Sequence, residues 1–127
     1  MRIQTFLRLT AITTAVIGTV FIIAPFQVTN IFVDQLGREA LMFMRFLGSS
    51  LVGYSYLNWQ TAKLNKLQAM HATLVGNFAT LCIALLLSII GVVSQDLNLY
   101  GLLIVALHLV FASGFGYYLL KLRRSKN

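Results

Sequence analysis

Charge is what this sequence has least of. Asp, Glu, Lys and Arg make up 10% of the 127 residues, against roughly 25% in soluble domains, too few to cover the surface of a water-soluble globule. Carboxylates are scarcest: Asp34, Glu39 and Asp96 are all there are, and none is placed to form an acid–base pair. The one cysteine, Cys82, sits inside an apolar run. It has no thiol partner for an intramolecular disulfide, a metal or a redox pair, and reads as a small apolar side chain. Histidine occurs twice, as His71 and His108. In the expected helices the two are offset in depth by roughly 10 Å at 1.5 Å per residue, too far apart to ligate one haem iron. With no other ligand cluster, no metal site is expected. Phosphate-cradling glycine loops and nucleophile elbows are missing too. No catalytic residue can be named, and an enzyme ranks last among the function classes.

What fills the chain instead is apolar: 58% hydrophobic residues and a mean hydropathy of +0.81. A helix crosses a bilayer with about 20 such residues. The expected fold is an all-α integral membrane protein, a single domain over 1–127 built as a four-transmembrane-helix bundle. Its spans are placed near 5–24, 39–60, 68–93 and 97–120. The first run has Arg2 before it and Arg8 near its start, like a signal peptide. It is long enough to span, and no A-x-A-like cleavage site follows it, so it reads as an uncleaved helix ended near Pro25. The connector Phe26–Gly37, with Ile31-Phe32-Val33, is expected at the interface. A polar turn, Thr61–Leu67, separates spans two and three, and a tight turn at Ser94-Gln95-Asp96 separates three and four. Trp59 and most of the tyrosines fall toward helix ends and suit an interfacial belt.

The basic residues decide orientation. Arg2, Arg8, Lys63, Lys66, Lys121, Arg123, Arg124 and Lys126 fall on one side of this topology and Arg38 alone on the other. The positive-inside rule then puts both termini in the cytoplasm. The same rule accounts for the net charge of +7, so nucleic acid is not an expected partner. The basic tail either binds anionic lipid or only sets orientation.

The second run is unusual because Arg45 lies inside it, roughly 10 Å below Arg38 at 1.5 Å per residue. A guanidinium in hydrocarbon costs about 2.5–3.5 kcal/mol on insertion scales. Arg45 therefore either snorkels to headgroups, pairs with Asp34, Glu39 or Asp96, or anchors a polar ligand group. Membrane helix interfaces favour small and polar residues, and each run has such a stripe at helical spacing. The stripes are Thr10, Thr14, Gly18; Arg45, Ser49, Gly53; Thr73, Asn77, Thr80, Ala84, Ser88, Gly91; and Gly101, Val105, His108, Ala112, Gly116. The candidate ligand-binding residues are Arg45, His108, Asn77, Ser49 and Tyr54. His108 is either a ligand contact or a neutral histidine bonding to Asn77, Thr80 or a backbone carbonyl.

A first helix running from Gly18 to a terminal Pro25, a short connector, then Arg45-Phe46-Leu47-Gly48 followed by Gly53 and Trp59, resembles the small four-helix bacterial membrane proteins of the DoxX-like group and related families of unknown function. The resemblance covers the first half of the chain, with Arg45 and Gly48 as the matching positions. It implies an inner-membrane location, a membrane partner and a quinone as the one cofactor to consider. The leading expectation is an accessory or interaction subunit of a membrane complex, with another membrane protein or a second copy as partner. The competing one is a binding module for a hydrophobic small molecule, quinone or lipid, in a polar-anchored pocket.

Overall fold

The computed structural model describes residues 2–33 and 37–124, and every regular element among them is a helix. The helices are α1 (Ile3–Ile23), α2 (Pro25–Phe32), α3 (Arg38–Leu64), α4 (Leu67–Val93) and α5 (Gly101–Arg124). Three of them, α1, α4 and α5, are long and apolar enough to cross a membrane. α3 has the length, 27 residues, roughly 40 Å of helix, but is not one of the three. Arg45 and the stretch Gly53–Tyr56, with two tyrosines and a serine, lower its hydropathy.

Each boundary has a local cause. Ala24, at φ −129° and ψ 52°, breaks α1. Pro25 then opens α2 at the first helical position, where a missing N–H costs nothing. The connector expected at the interface is thus partly helical, and Thr29, buried, donates its hydroxyl to the Pro25 carbonyl at 2.7 Å. The polar turn expected over Thr61–Leu67 shrinks to Asn65 and Lys66. Asn65 takes the left-handed conformation (φ 53°) and donates its N–H to the Thr61 carbonyl at 3.3 Å, an αL cap that asparagine tolerates. α5 starts at Gly101 rather than near Leu97. Asn98 accepts the Tyr100 N–H on its side chain at 3.0 Å and the Gly101 N–H on its carbonyl at 2.8 Å, holding 98–100 as a turn.

The chain forms two compact units, Met1–Lys66 and Leu67–Asn127. In the first, α1 and α3 pack along their lengths. The contact positions of α3 are Leu41, Met44, Gly48, Leu51, Ser55, Asn58 and Ala62, all buried or half-buried. Their alternating three- and four-residue spacing is the seam of a coiled coil. The helices approach closely where two glycines meet. A Cβ on Gly18 would stand 2.6 Å from the Gly48 carbonyl oxygen, and one on Gly48 would stand 2.6 Å from that of Gly18. Near one end Gln4 donates to the Asn65 side-chain oxygen at 2.6 Å. Residue numbers rise along α1 as they fall along α3, so the pair is antiparallel. Pairing through the longer connector, rather than through a tight turn, is what the sequence did not indicate.

In the second unit α4 and α5 form an antiparallel hairpin across their short connection. Leu97 sits in the turn between Gly91 and Gly101. A Cβ on Gly101 would come within 2.7 Å of the Leu97 Cβ. Further along, the Phe78 ring lies against Gly116, 3.0 Å from where a Cβ would be. Leu74 and Phe115 are fully buried. The α5 stripe Gly101, Val105, His108, Ala112 foreseen from spacing is the face that packs, continued by Phe115, Leu119 and Leu122.

Candidate functional site

The five candidate residues fall in two groups. Arg45, Ser49 and Tyr54 lie on α3, and all three are exposed. Gly48 and its seam partners meet α1, with Val52 and Trp59 at their edge, and Arg45, Ser49 and Gly53 form a neighbouring flank. Nothing lies within 4 Å of where a Gly53 Cβ would stand. The glycine of α3 that packs on α1 is Gly48, not Gly53. Arg45 and Ser49, one turn apart, share the flank. Tyr54, nine residues from Arg45, is rotated about 180° from it at 100° per residue. Of the acids considered as partners for Arg45, Asp34 lies outside the described residues. Among the described residues, no carboxylate pairs with Arg45, and Glu39 and Asp96 are both exposed.

Asn77 and His108 belong to the second unit and do not meet. The Asn77 side chain donates to the Thr73 carbonyl, one turn back on α4, at 2.8 Å. The partner of His108 is Ser88. It is eleven residues along α4 from Asn77, roughly 16 Å at 1.5 Å per residue. The Ser88 Oγ stands 2.7 Å from His108 Nδ1 and 2.6 Å from the Ala84 carbonyl oxygen. Proton counting assigns the imidazole. Serine has one hydroxyl proton, and a carbonyl oxygen can only accept. The Ser88 proton therefore goes to Ala84, and the Nδ1–H of His108 donates to the Ser88 oxygen. A neutral imidazole so held carries its free lone pair on Nε2, and the residue as a whole is half-buried. Ser88 stood in the α4 stripe of the sequence, at the level estimated for Arg45, so the signal for this pair was present but assigned to packing.

Two further features were not foreseen. A groove of about 340 Å³ runs between α1 and α3, lined by Ala11, Ile12, Ala15, Val52, Ser55, Tyr56 and Trp59. At its end the Arg8 guanidinium carbon is 6.0 Å from the centroid of the Trp59 ring, a cation–π contact where only an interfacial tryptophan was expected. A second cavity, about 380 Å³, opens between the start of α4 and the end of α5, lined by His71, Leu119, Leu120, Leu122 and Arg123. No three His, Cys, Asp or Glu side chains converge among the described residues. A scan against protein-family models and searches of curated proteins and of solved structures each return no match to this chain.

Proposed function

We propose that this chain is a four-span protein of the bacterial cytoplasmic membrane, with both termini in the cytoplasm, and that it acts as an accessory subunit docking a helix of another membrane protein on the Arg45–Ser49 flank of α3. One observation carries the reading: an arginine and a serine stand exposed beside a glycine with nothing near it, on a helix embedded between apolar ones in sequence. In lipid the arginine alone would cost about 2.5–3.5 kcal/mol, and small residues beside it permit a partner backbone to approach closely. The eight-to-one distribution of basic residues supports four spans and the orientation. Arg45 of the Arg-x-x-Gly pattern behind the DoxX-like resemblance lies on this flank, and a membrane partner is what that resemblance would imply. The test is a photo-crosslinker at Ser49 in living cells. A discrete adduct with a different membrane protein, lost on Arg45→Leu, is expected. Adducts confined to lipid, or to a second copy of the chain, would count against it.

The groove between α1 and α3 favours one other reading, a binding module for a hydrophobic small molecule. Its alanines, Val52 and the rings of Tyr56 and Trp59 offer a flat apolar slot with Ser55 as a polar contact, the composition expected of a lipid or quinone site. Mass spectrometry of compounds retained by the purified protein, with Ala15→Phe to fill the slot, separates the two: a ligand lost on filling supports the module.

A further inference from the structure

The cavity at the open end of the α4–α5 hairpin combines apolar and cationic side chains. Its wall is Leu119, Leu120 and Leu122, and its polar members are His71 and Arg123. His71 stands one turn into α4, and Arg123 is in the last turn of α5. Both are exposed, so their polar ends need not compete for protein partners. Within Leu67–Asn127 the single acid is Asp96, and it sits in the turn at the opposite end of the hairpin, roughly 33 Å away at 1.5 Å per residue. Lys121 and Arg124 add positive charge near the cavity, and Asp96, the one acidic side chain of this unit, is too far away to offset it. The charge of the cavity is therefore complementary to an anion.

Depth decides which anion. α4 and α5 both have the length and composition of membrane spans, and the cavity lies where the apolar run of α5 gives way to Lys121-Leu122-Arg123-Arg124. That is the level at which acyl chains end and phosphates begin. A free phosphate ion would gain nothing from three leucines. A phospholipid would lay its glycerol and first methylenes on them while its phosphate met the guanidinium fork. Arginine binds phosphate through paired N–H donors, and basic pockets between membrane helices on the cytoplasmic side are suited to anionic headgroups. We propose that this cavity is a seat for one anionic glycerophospholipid, with Arg123 holding the phosphate, His71 donating a second hydrogen bond, and Leu119, Leu120 and Leu122 contacting the lipid backbone.

The competing explanation is diffuse attraction of the basic tail to an anionic surface. It assigns every cation the same value, about fivefold in affinity for each. Lys121 provides the comparison: it carries the charge of Arg123 on the same helix, two residues away, and so about 160° around it at 100° per residue. The full-length protein is purified, delipidated and reconstituted into nanodiscs of phosphatidylcholine with increasing phosphatidylglycerol. Retained phosphatidylglycerol is then counted by native mass spectrometry. A stoichiometric lipid is expected for the unaltered chain. Arg123→Gln should lose about tenfold more affinity than Lys121→Gln, the equivalent of one charge-assisted hydrogen bond. Arg123→Lys, which keeps charge but not the fork, should fall between them. His71→Ala should lose several-fold without altering helix content by circular dichroism. Equal losses for Arg123→Gln and Lys121→Gln, no stoichiometric lipid, or displacement by millimolar inorganic phosphate would each overturn the proposal. Failure to enter nanodiscs at all would instead count against the reading of α4 and α5 as spans, and with it against the seat.

Discussion

Replacing either glycine of the α1–α3 crossing by alanine should force the two helices apart. A methyl on Gly18 would sit 2.6 Å from the Gly48 carbonyl oxygen, where ordinary contact starts at 3.4 Å, so the helices must separate by about 0.8 Å. A gap of 0.5–1 Å forfeits about a quarter to a half of each dispersion contact around it, and overpacking of this kind costs about 1–3 kcal/mol. The better helix propensity of alanine returns up to about 1 kcal/mol. The net expectation for Gly18→Ala or Gly48→Ala is a loss of about 1–2 kcal/mol. The contact is reciprocal, so one separation accommodates both methyl groups. The double variant should therefore be destabilised by clearly less than the sum of the singles, with a coupling of about 0.5–2 kcal/mol. Trp59 is the only tryptophan and is contacted by Arg8 across this pair. Its fluorescence during SDS-driven unfolding in mixed micelles reports the right interface. A neutral or stabilising single variant, or strict additivity in the double, would refute the idea of a shared close approach.

Ser88→Ala removes the acceptor that fixes the His108 ring. It should cost about 0.6–1.7 kcal/mol in the same unfolding assay, the range of hydrogen bonds between membrane helices. Nitrogen-15 NMR should show the proton on Nδ1 in the unaltered chain, and a proton on Nε2 would refute the assignment. For Arg45, exposed and without a carboxylate partner among the described residues, Lys and Leu variants of the isolated chain should stay within about 0.5 kcal/mol of the parent, as surface substitutions do. A large loss in both would reveal an ordered contact within the chain instead. Reporters fused after Asn127 should read as cytoplasmic and one inserted near Gln95 as external, on the charge split; the reverse would discard the four-span topology.

The helices were legible because their signals are local. Apolar runs long enough to span need no knowledge of partners, and Pro25 ends α1 whatever surrounds it. The faces were harder to read. On α3 the stripes Arg45-Ser49-Gly53 and Met44-Gly48-Leu51 lie side by side and both contain glycine. Only the location of α1 decides which glycine is packed, and that is a long-range fact. On α5 the packing stripe was recovered because Gly101, His108, Ala112 and Gly116 share it at helical spacing. The Ser88–His108 bond shows a different limit. Spacing placed Ser88 on the stripe, but pairing it with His108 rather than Asn77 needs the register between two helices. Depth estimates counted from uncertain helix ends do not give that register, and the α5 start moved from near Leu97 to Gly101. The Arg8–Trp59 contact was hidden because each residue already had a sufficient explanation in orientation and belt.

The division into Met1–Lys66 and Leu67–Asn127 has a consequence for how the protein is made. Ribosomes add about 5–20 residues per second, so the 61 residues of the second unit follow the first by about 3–12 s. Collective motions and shifts of whole helices take about microseconds to milliseconds. α1 can therefore find α3, and Gly18 can settle against Gly48, while α4 and α5 are still being translated. Assembly becomes two short-range closures in order of synthesis. A fault at the glycine crossing would be exposed to the insertion machinery and to quality-control proteases before the C-terminal hairpin exists to compensate for it.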